Sequence, residues 1–225
     1  LTPTGVFEPV FLAGTTVSRA TLHNQDFITE KDVRVGDTVL IQKAGEIIPQ
    51  VVSVDLTKRP EGTVPYHLPE LCPVCGAPVA RDPDGVALRC TGAECPAQFM
   101  RYLVHFASRD CMDIEGLGPA VVRSLVEKGL VQTPGDLYSL KVEEVAQLDR
   151  MGEKSAQNLV KAIEKSKEND LARLINAFGI RQVGTKVAQV LAKHFRTLDA
   201  LMTAEEVVLT EIPDIGGITA HCLTE

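Results

Sequence analysis

One unit, repeated four times, constrains this chain more than anything else in it. Gly118, Gly152, Gly184 and Gly216 lie 34, 32 and 32 residues apart. The residue before each is apolar (Leu117, Met151, Val183, Ile215), and so is the residue four before (Ile114, Leu148, Ile180, Ile212). Four positions after the glycines come Val122, Ala156, Ala188 and Ala220; seven after come Leu125, Leu159, Leu191 and Leu223. A fixed period in this range marks a repeated supersecondary unit. The spacing predicts a short hairpin closed by glycine, then a helix with apolar residues at helical intervals.

Glycine permits a tight turn and lets a ligand approach the backbone. The helix that follows offers unpaired amides and the positive end of its dipole. Such a site suits phosphate and reads no bases. The pattern apolar-x-(Gly or polar)-apolar-Gly-x-x-x-(Ala or Val) resembles the helix-hairpin-helix motif of proteins that hold duplex DNA by its backbone. A single copy would be read as a helical array with glycine-closed turns; four aligned copies favour DNA. The copies are unequal: two residues before the reference glycine stand Gly116, Arg150, Gln182 and Asp214. Asp214 opposes a phosphate, so the fourth unit is expected to pack rather than bind unless Gly216-Gly217 turns the carboxylate away. Arg150 and Lys154 supply cations to the second unit and Arg181 and Lys186 to the third, with Ser155 and Thr185 as hydroxyl donors. Pro119 removes one amide from the first unit yet suits a first helical turn. The candidate duplex contacts are therefore Gly116, Gly118, Arg150, Gly152, Lys154, Ser155, Arg181, Gly184, Thr185, Lys186 and Gly216, strongest in units two and three. The competing reading of those lysines is an ordinary solvated surface.

A net charge of −7 argues against strong non-specific binding by this chain alone, because nucleic-acid binders usually carry a basic footprint. Aromatic residues make up 4% and tryptophan is absent, which disfavours a single-strand binder built on base stacking. No apolar run approaches the ~18 residues of a membrane span, and no signal peptide opens the chain. A soluble, cytoplasmic, monomeric protein is expected, with no membrane partner.

Residues 1–68 alternate short apolar runs with turns. Val6 to Leu12, Thr15 to Leu22, Thr38 to Lys43 and Gln50 to Leu56 read as strands, punctuated by Gly36-Asp37 and Ala44-Gly45-Glu46 and stopped by Pro49. Asp32 to Asp37 reads as a turn entering a strand. A five-stranded OB-type barrel is the expected fold. Arg19, Asn24 and Lys43 are candidates for sugar and phosphate contact, against a solvated strand end and loop; His23 has no visible partner to tune it for catalysis.

Residues 69–100 contain Cys72-Pro73-Val74-Cys75, then Cys90 and Cys95. Two close pairs around a short loop is structural zinc spacing. So short a segment has too little apolar content to fold alone, and metal ligation worth roughly 10–16 kcal/mol can supply the difference. Iron–sulfur ligation is the main alternative; disulfides lack a secretory context. Cys111 and Cys222 read as buried small residues. Ala97 to Ser108 reads as an amphipathic helix joining this module to an all-α array over 101–225, with further helices near Val142–Leu148, Leu171–Phe178 and Ala204–Leu209. Four units would form two pseudo-twofold pairs. The fold class is multidomain α and β: OB-type β-barrel, small zinc finger, and helix-hairpin-helix array.

That order of modules resembles the bacterial NAD-dependent DNA ligases. So do Thr2-Pro3-Thr4 leading to Glu8-Pro9-Val10, Ala20-Thr21-Leu22-His23-Asn24, and Ala44-Gly45-Glu46-Ile47-Ile48-Pro49-Gln50-Val51-Val52. The resemblance implies a parent enzyme that takes AMP from NAD onto a lysine of a Lys-x-Asp-Gly motif, passes it to a 5′-phosphate at a nick, and seals the nick with magnesium assisting. No Lys-x-Asp-Gly occurs in this sequence; its one Asp-Gly is Asp84-Gly85. The expectation is a DNA-gripping portion, inactive alone, with the adenylation and BRCT domains elsewhere in the parent, the barrel's first strand incomplete and the fourth motif cut inside its helix. In the family, the OB domain faces the minor groove at the nick and the hairpins hold backbone on both sides. The alternative is a non-catalytic OB and helix-hairpin-helix scaffold for recombination or repair, such as a Holliday-junction-binding subunit.

Overall fold

A computed structural model describes residues 1–44, 48–82 and 85–224. Gly45 and Glu46 of the expected turn, Ile47 of the string beside it, Asp84 of the Asp-Gly pair and Glu225 lie outside the described residues. The chain divides into two compact units, Leu1–Cys95 and Pro96–Glu225.

In the first unit, strands β1 (Thr4–Leu12), β2 (Thr15–Thr21), β3 (Val39–Ala44) and β4 (Ile48–Val54) form one sheet in the order β1-β2-β4-β3. The pairs β1–β2 and β3–β4 are antiparallel, and a parallel bridge from Thr21 to Gln50 joins them. Four strands thus occupy the described residues where a five-stranded barrel is expected. Pro49 lies inside β4 opposite Lys43 instead of ending a run; proline is tolerated at the start of a strand. A helix absent from the sequence reading, α1 (Gln25–Lys31), follows β2. Asn24 caps it by accepting from the Phe27 amide at 2.9 Å, and Asp32 ends it in the left-handed region. The core is small: Ala20, Leu22, Ile28 and Val51, flanked by Phe7, Phe27, Val33, Val39 and Ile41.

An ionic cluster supplements that core. Arg59 bridges two carboxylates, with Nη1 2.6 Å from Asp32 Oδ2 and Nε 2.9 Å from Asp37 Oδ1. The Arg34 amide donates to Asp37 Oδ2 at 2.8 Å, closing the turn through Gly36 (φ +91°). Burial pushes the Asp37 carboxyl up, but Arg59 and the Arg34 amide outweigh it and hold it below its ordinary value. Arg34, then Arg59, lower Asp32 in the same sense. Carboxylates depressed in the folded state add stability above their unfolded pKa and lose it as pH falls through the folded value. Amide exchange in β3 and β4 should therefore accelerate as pH drops below about 4, after correction for intrinsic exchange. Arg59→Ala should raise exchange at neutral pH and flatten that acid dependence; an unchanged profile would deny the cluster its role.

The second unit is helical. Its four motifs are α2 (Pro96–Phe106) with α3 (Pro119–Glu127), α4 (Val142–Ala146) with α5 (Glu153–Ser166), α6 (Leu171–Ala177) with α7 (Thr185–Phe195), and α9 (Glu206–Thr210) with α10 (Gly217–Thr224). A further short helix, α8 (Leu198–Met202), precedes α9. Motifs one and two share a core containing Leu103, Ile114, Leu117, Val122, Leu125, Leu148, Ala156 and Leu159. Motifs three and four share another, containing Ile175, Val183, Ala188, Leu191, Ile212, Ile215 and Ala220. The linker expected at Ala97 to Ser108 is in fact the first helix of motif one: Leu103 and Phe106 are buried in its core.

Helix α6 ties the pairs together. Ile175 enters the second core while Ala177 enters the first. Its polar face and the residue before its cap are latched to the loop after α2: Asn169 Nδ2 donates to the Met112 carbonyl at 2.7 Å, and Asn176 Nδ2 to the Asp110 carbonyl at 3.0 Å. Cys111 is fully buried beside Asn176, whereas Cys222, expected to be buried, is half-exposed.

Candidate metal centre and nucleic-acid interface

The four cysteine sulfurs all lie within 4.8 Å of one another. Cys72 and Cys95 are 4.0 Å apart and Cys75 and Cys90 3.4 Å. Sulfurs set tetrahedrally about 2.3 Å from zinc stand about 3.8 Å apart, so the spacing fits one ion and is far too long for disulfides, whose sulfurs lie about 2 Å apart. The knuckle backbone builds this cage. Gly76 (φ +73°) turns the first pair back, its amide donating to the Cys72 carbonyl at 2.9 Å. Strands β5 (Val79–Arg81) and β6 (Leu88–Cys90) pair antiparallel and deliver Cys90.

The electrostatics also call for a cation. The amides of Cys75 and Val74 lower the Cys72 thiol to about 6. The Ala77 amide lowers that of Cys75, but the sulfur of Cys90, then burial, Cys95 and Cys72, push it up to about 12. Four thiolates this close cannot all ionise without a metal to neutralise them. With four sulfurs closing the coordination sphere, the ion is structural and leaves no position for water.

Gly92 is a residue of this centre that sequence reasoning missed. Its amide donates to Cys90 Sγ at 3.3 Å. A Cβ there would lie 2.9 Å from Ala77 Cβ and 3.2 Å from Cys75 Sγ. The echo between Cys75-Gly76 and Cys90-Thr91-Gly92 is the signal that points to it. Outside the cage, Arg81 forms a two-pronged ion pair with Asp26 of α1, at 2.6 and 3.1 Å.

The hairpins superpose in their hydrogen bonds. Leu117, Met151, Val183 and Ile215 each donate to the carbonyl three residues earlier, at 3.2, 3.1, 3.0 and 3.1 Å. Val122, Ala156, Ala188 and Ala220 each donate to the reference glycine carbonyl at 2.9–3.0 Å. Positive φ falls on the third residue of each turn: Gly116 (+87°), Arg150 (+61°), Gln182 (+64°) and Asp214 (+69°). These are type II turns, which demand φ above zero at that place.

The glycine-closed hairpin of the sequence reading is corrected accordingly. Gly118, Gly152 and Gly184 have φ of −83°, −86° and −99° and serve as helix N-caps. No turn strain requires glycine there. A Cβ on any of the four reference glycines would meet nothing within 4 Å. All four are exposed, as are Arg150, Lys154, Ser155, Arg181, Thr185 and Lys186. The space in front of each N-terminus is open, and neither backbone geometry nor internal packing explains the glycine.

The three barrel candidates are not joined to one another by any hydrogen bond, ion pair or ring contact among the described residues. Arg19 is exposed on β2 opposite Val6. Lys43 Nζ donates to Thr15 Oγ1 at 2.7 Å. The Asn24 carbonyl oxygen caps α1.

Comparison with known proteins matches this architecture segment by segment. Residues 1–63 fit the NAD-dependent DNA ligase OB-fold domain and residues 72–97 the NAD-dependent DNA ligase C4 zinc finger domain. Residues 108–165 fit the SAM-like helix-hairpin-helix tandem and residues 173–225 the helix-hairpin-helix motif. The chain belongs to the NAD-dependent DNA ligase family. It is 55% identical to a DNA ligase of Acetivibrio thermocellus over 96% of this chain and 33% of that one. Against the DNA ligase of Carboxydothermus hydrogenoformans the identity is 56% over 96% of this chain and 32% of the relative. Against that of Pelotomaculum thermopropionicum it is 54% over the whole chain and 33% of the relative. The chain thus spans about a third of the length of the curated relatives it matches. No described helix is long and apolar enough to cross a membrane.

Two outcomes follow for the metal centre. Chain refolded with zinc should carry one zinc ion, measured by a colorimetric chelator after denaturation, and Cys95→Ala should carry close to none. Gly92→Ala should release zinc to a competing chelator at least tenfold faster than the unaltered chain. Equal release would show that Ala77 and the sulfurs give way without cost.

Proposed function

We propose that this chain is the duplex-gripping portion of a DNA ligase that seals single-strand nicks during replication and repair in the bacterial cytoplasm. In the parent, NAD supplies AMP to a lysine, magnesium assists transfer to the nicked 5′-phosphate, and phosphodiester formation releases AMP. None of the 225 residues here forms a Lys-x-Asp-Gly motif, so adenylation is assigned to the adenylation domain of the same polypeptide. This portion alone is inactive in ligation and works as a monomer beside the adenylation and BRCT domains. Zinc holds the knuckle of residues 69–100 between the barrel module, residues 1–68, and the array, residues 101–225.

One observation carries the reading: four equivalent, exposed helix N-termini, each entered through a glycine whose open side the protein leaves unfilled. Unpaired amides and the helix dipole attract phosphate there, and spacing along one array suits a regular backbone. Such contacts position a duplex without reading it. The contacts proposed are Gly116, Gly118, Arg150, Gly152, Lys154, Ser155, Arg181, Gly184, Thr185, Lys186 and Gly216, with Arg19, Asn24 and Lys43 from the barrel. A recombination scaffold is disfavoured by the cysteine segment, which fits the ligase zinc-finger domain.

The test is a binding series with nicked, intact and single-stranded DNA at several salt concentrations. Duplex should be preferred over single strands, with affinity falling as salt rises. Gly152→Val and Gly184→Val should each weaken duplex binding by about one to two orders of magnitude, since a hydrogen bond to a charged group is worth about 1.5–3 kcal/mol. Neither side chain meets a neighbour within 4 Å at its first atom, so far-ultraviolet circular dichroism should be unchanged. Preference for the nicked duplex places nick sensing here; indifference assigns it to the adenylation domain. A folded, zinc-loaded chain that ignores duplex would refute the grip.

A further inference from the structure

The four motifs share a backbone and differ in what they place at its open end. The second helical position, two residues after the reference glycine, holds Ala120, Lys154, Lys186 and Ile218 in turn, and the left-handed turn position holds Gly116, Arg150, Gln182 and Asp214. Side chains in a first helical turn lean back toward the N-terminus. A long cation at this position therefore reaches over the open space ahead of the glycine. Motifs two and three have one. Motif one has a methyl group, and motif four has an isoleucine that is 73% exposed beside an exposed aspartate.

Helix stability does not account for those lysines. A cation in the first turn opposes the macrodipole, which favours acidic residues there. No ion pair among the described residues holds Lys154 or Lys186, and the neighbouring Glu153 is turned to Gln157 at 3.4 Å. Local rules are broken where function requires it. The broken rule recurs once in each core: motif two in the first, motif three in the second.

The outer motifs serve their partners instead. Leu159 of α5 packs against the turn of motif one, 3.8 Å from where a Gly116 Cβ would stand. Leu209, Ile212, Ile215 and Ala220 of motif four are buried in the second core.

We propose that electrostatic gripping of phosphate is confined to the two inner motifs, one from each pair, and that motifs one and four are scaffold copies that brace them. This rests on the duplex-grip reading and narrows it: Lys154 and Lys186 set the salt-sensitive part of the affinity, and the turn of motif four does not face the backbone.

The experiment compares duplex binding of the zinc-loaded chain and three variants across a salt series, with thermal unfolding alongside. Lys154→Ala with Lys186→Ala should weaken binding at least tenfold at low salt. It should also flatten the logarithmic salt slope by nearly two, at about 0.9 per phosphate contact, without lowering the unfolding midpoint. Asp214→Asn and Ile218→Lys, made separately, should leave the slope unchanged and the affinity within about threefold. A slope that steepens by about one in Ile218→Lys would show motif four facing phosphate and overturn the division. So would a double lysine variant with an unaltered slope. If the unaltered chain shows no duplex binding, the grip itself is refuted, a result distinct from either of these.

Discussion

Burying both ends of a four-residue turn is the constraint from which the helical unit follows. In each motif the first and fourth turn residues are apolar and pack into a core, as Ile114 and Leu117 do in the first and Ile212 and Ile215 in the fourth. With both ends held inward, the middle of the turn and the next helix's N-terminus face water. The unpaired amides of that helix are then exposed by the same packing that stabilises the motif. Alanine or valine four residues after the glycine, fully buried in every copy, lets the helix sit close enough to keep this geometry. Affinity for anions is thus a by-product of how the core is filled, and side chains at the open end only tune it.

The first unit is organised differently because its apolar content is low. Ala20, Leu22, Ile28 and Val51 form a modest core, and order is completed by charge and metal. Arg59 joins the loop after α1 to the segment after β4, while four sulfurs stand in for the core that residues 69–95 lack. Both devices fail in acid: carboxylates lose their pairing and thiolates their metal. The helical unit depends on neither.

What was legible in the sequence was what is periodic or close in sequence. The repeat gave the buried positions Val122, Ala156 and Ala188 directly, and the cysteine spacing gave all four members of the cage. The left-handed residue was misplaced because glycine at the cap invites the turn assignment, whereas arginine, glutamine and aspartate bear the positive φ. Helix α1 was missed because asparagine before an acidic turn reads equally as cap or ligand. Gly92 and Arg59 were invisible for another reason: their roles depend on atoms brought near by folding, Ala77 Cβ in one case and Asp37 in the other. The helix α2 was seen but given to the wrong side of a boundary, since an amphipathic pattern does not say which core its apolar face enters.

The most direct measurement is nuclear magnetic resonance of the isotope-labelled, zinc-loaded chain titrated with a short duplex. The backbone amides of residues 152–155 and 184–187 should shift first and furthest, with shifts reversed by added salt. Amides in the buried first halves of the turns, at Leu148 and Ile180, should move little. Perturbations confined to other surfaces, with these N-termini silent under saturating duplex, would contradict a backbone grip at the helix N-termini.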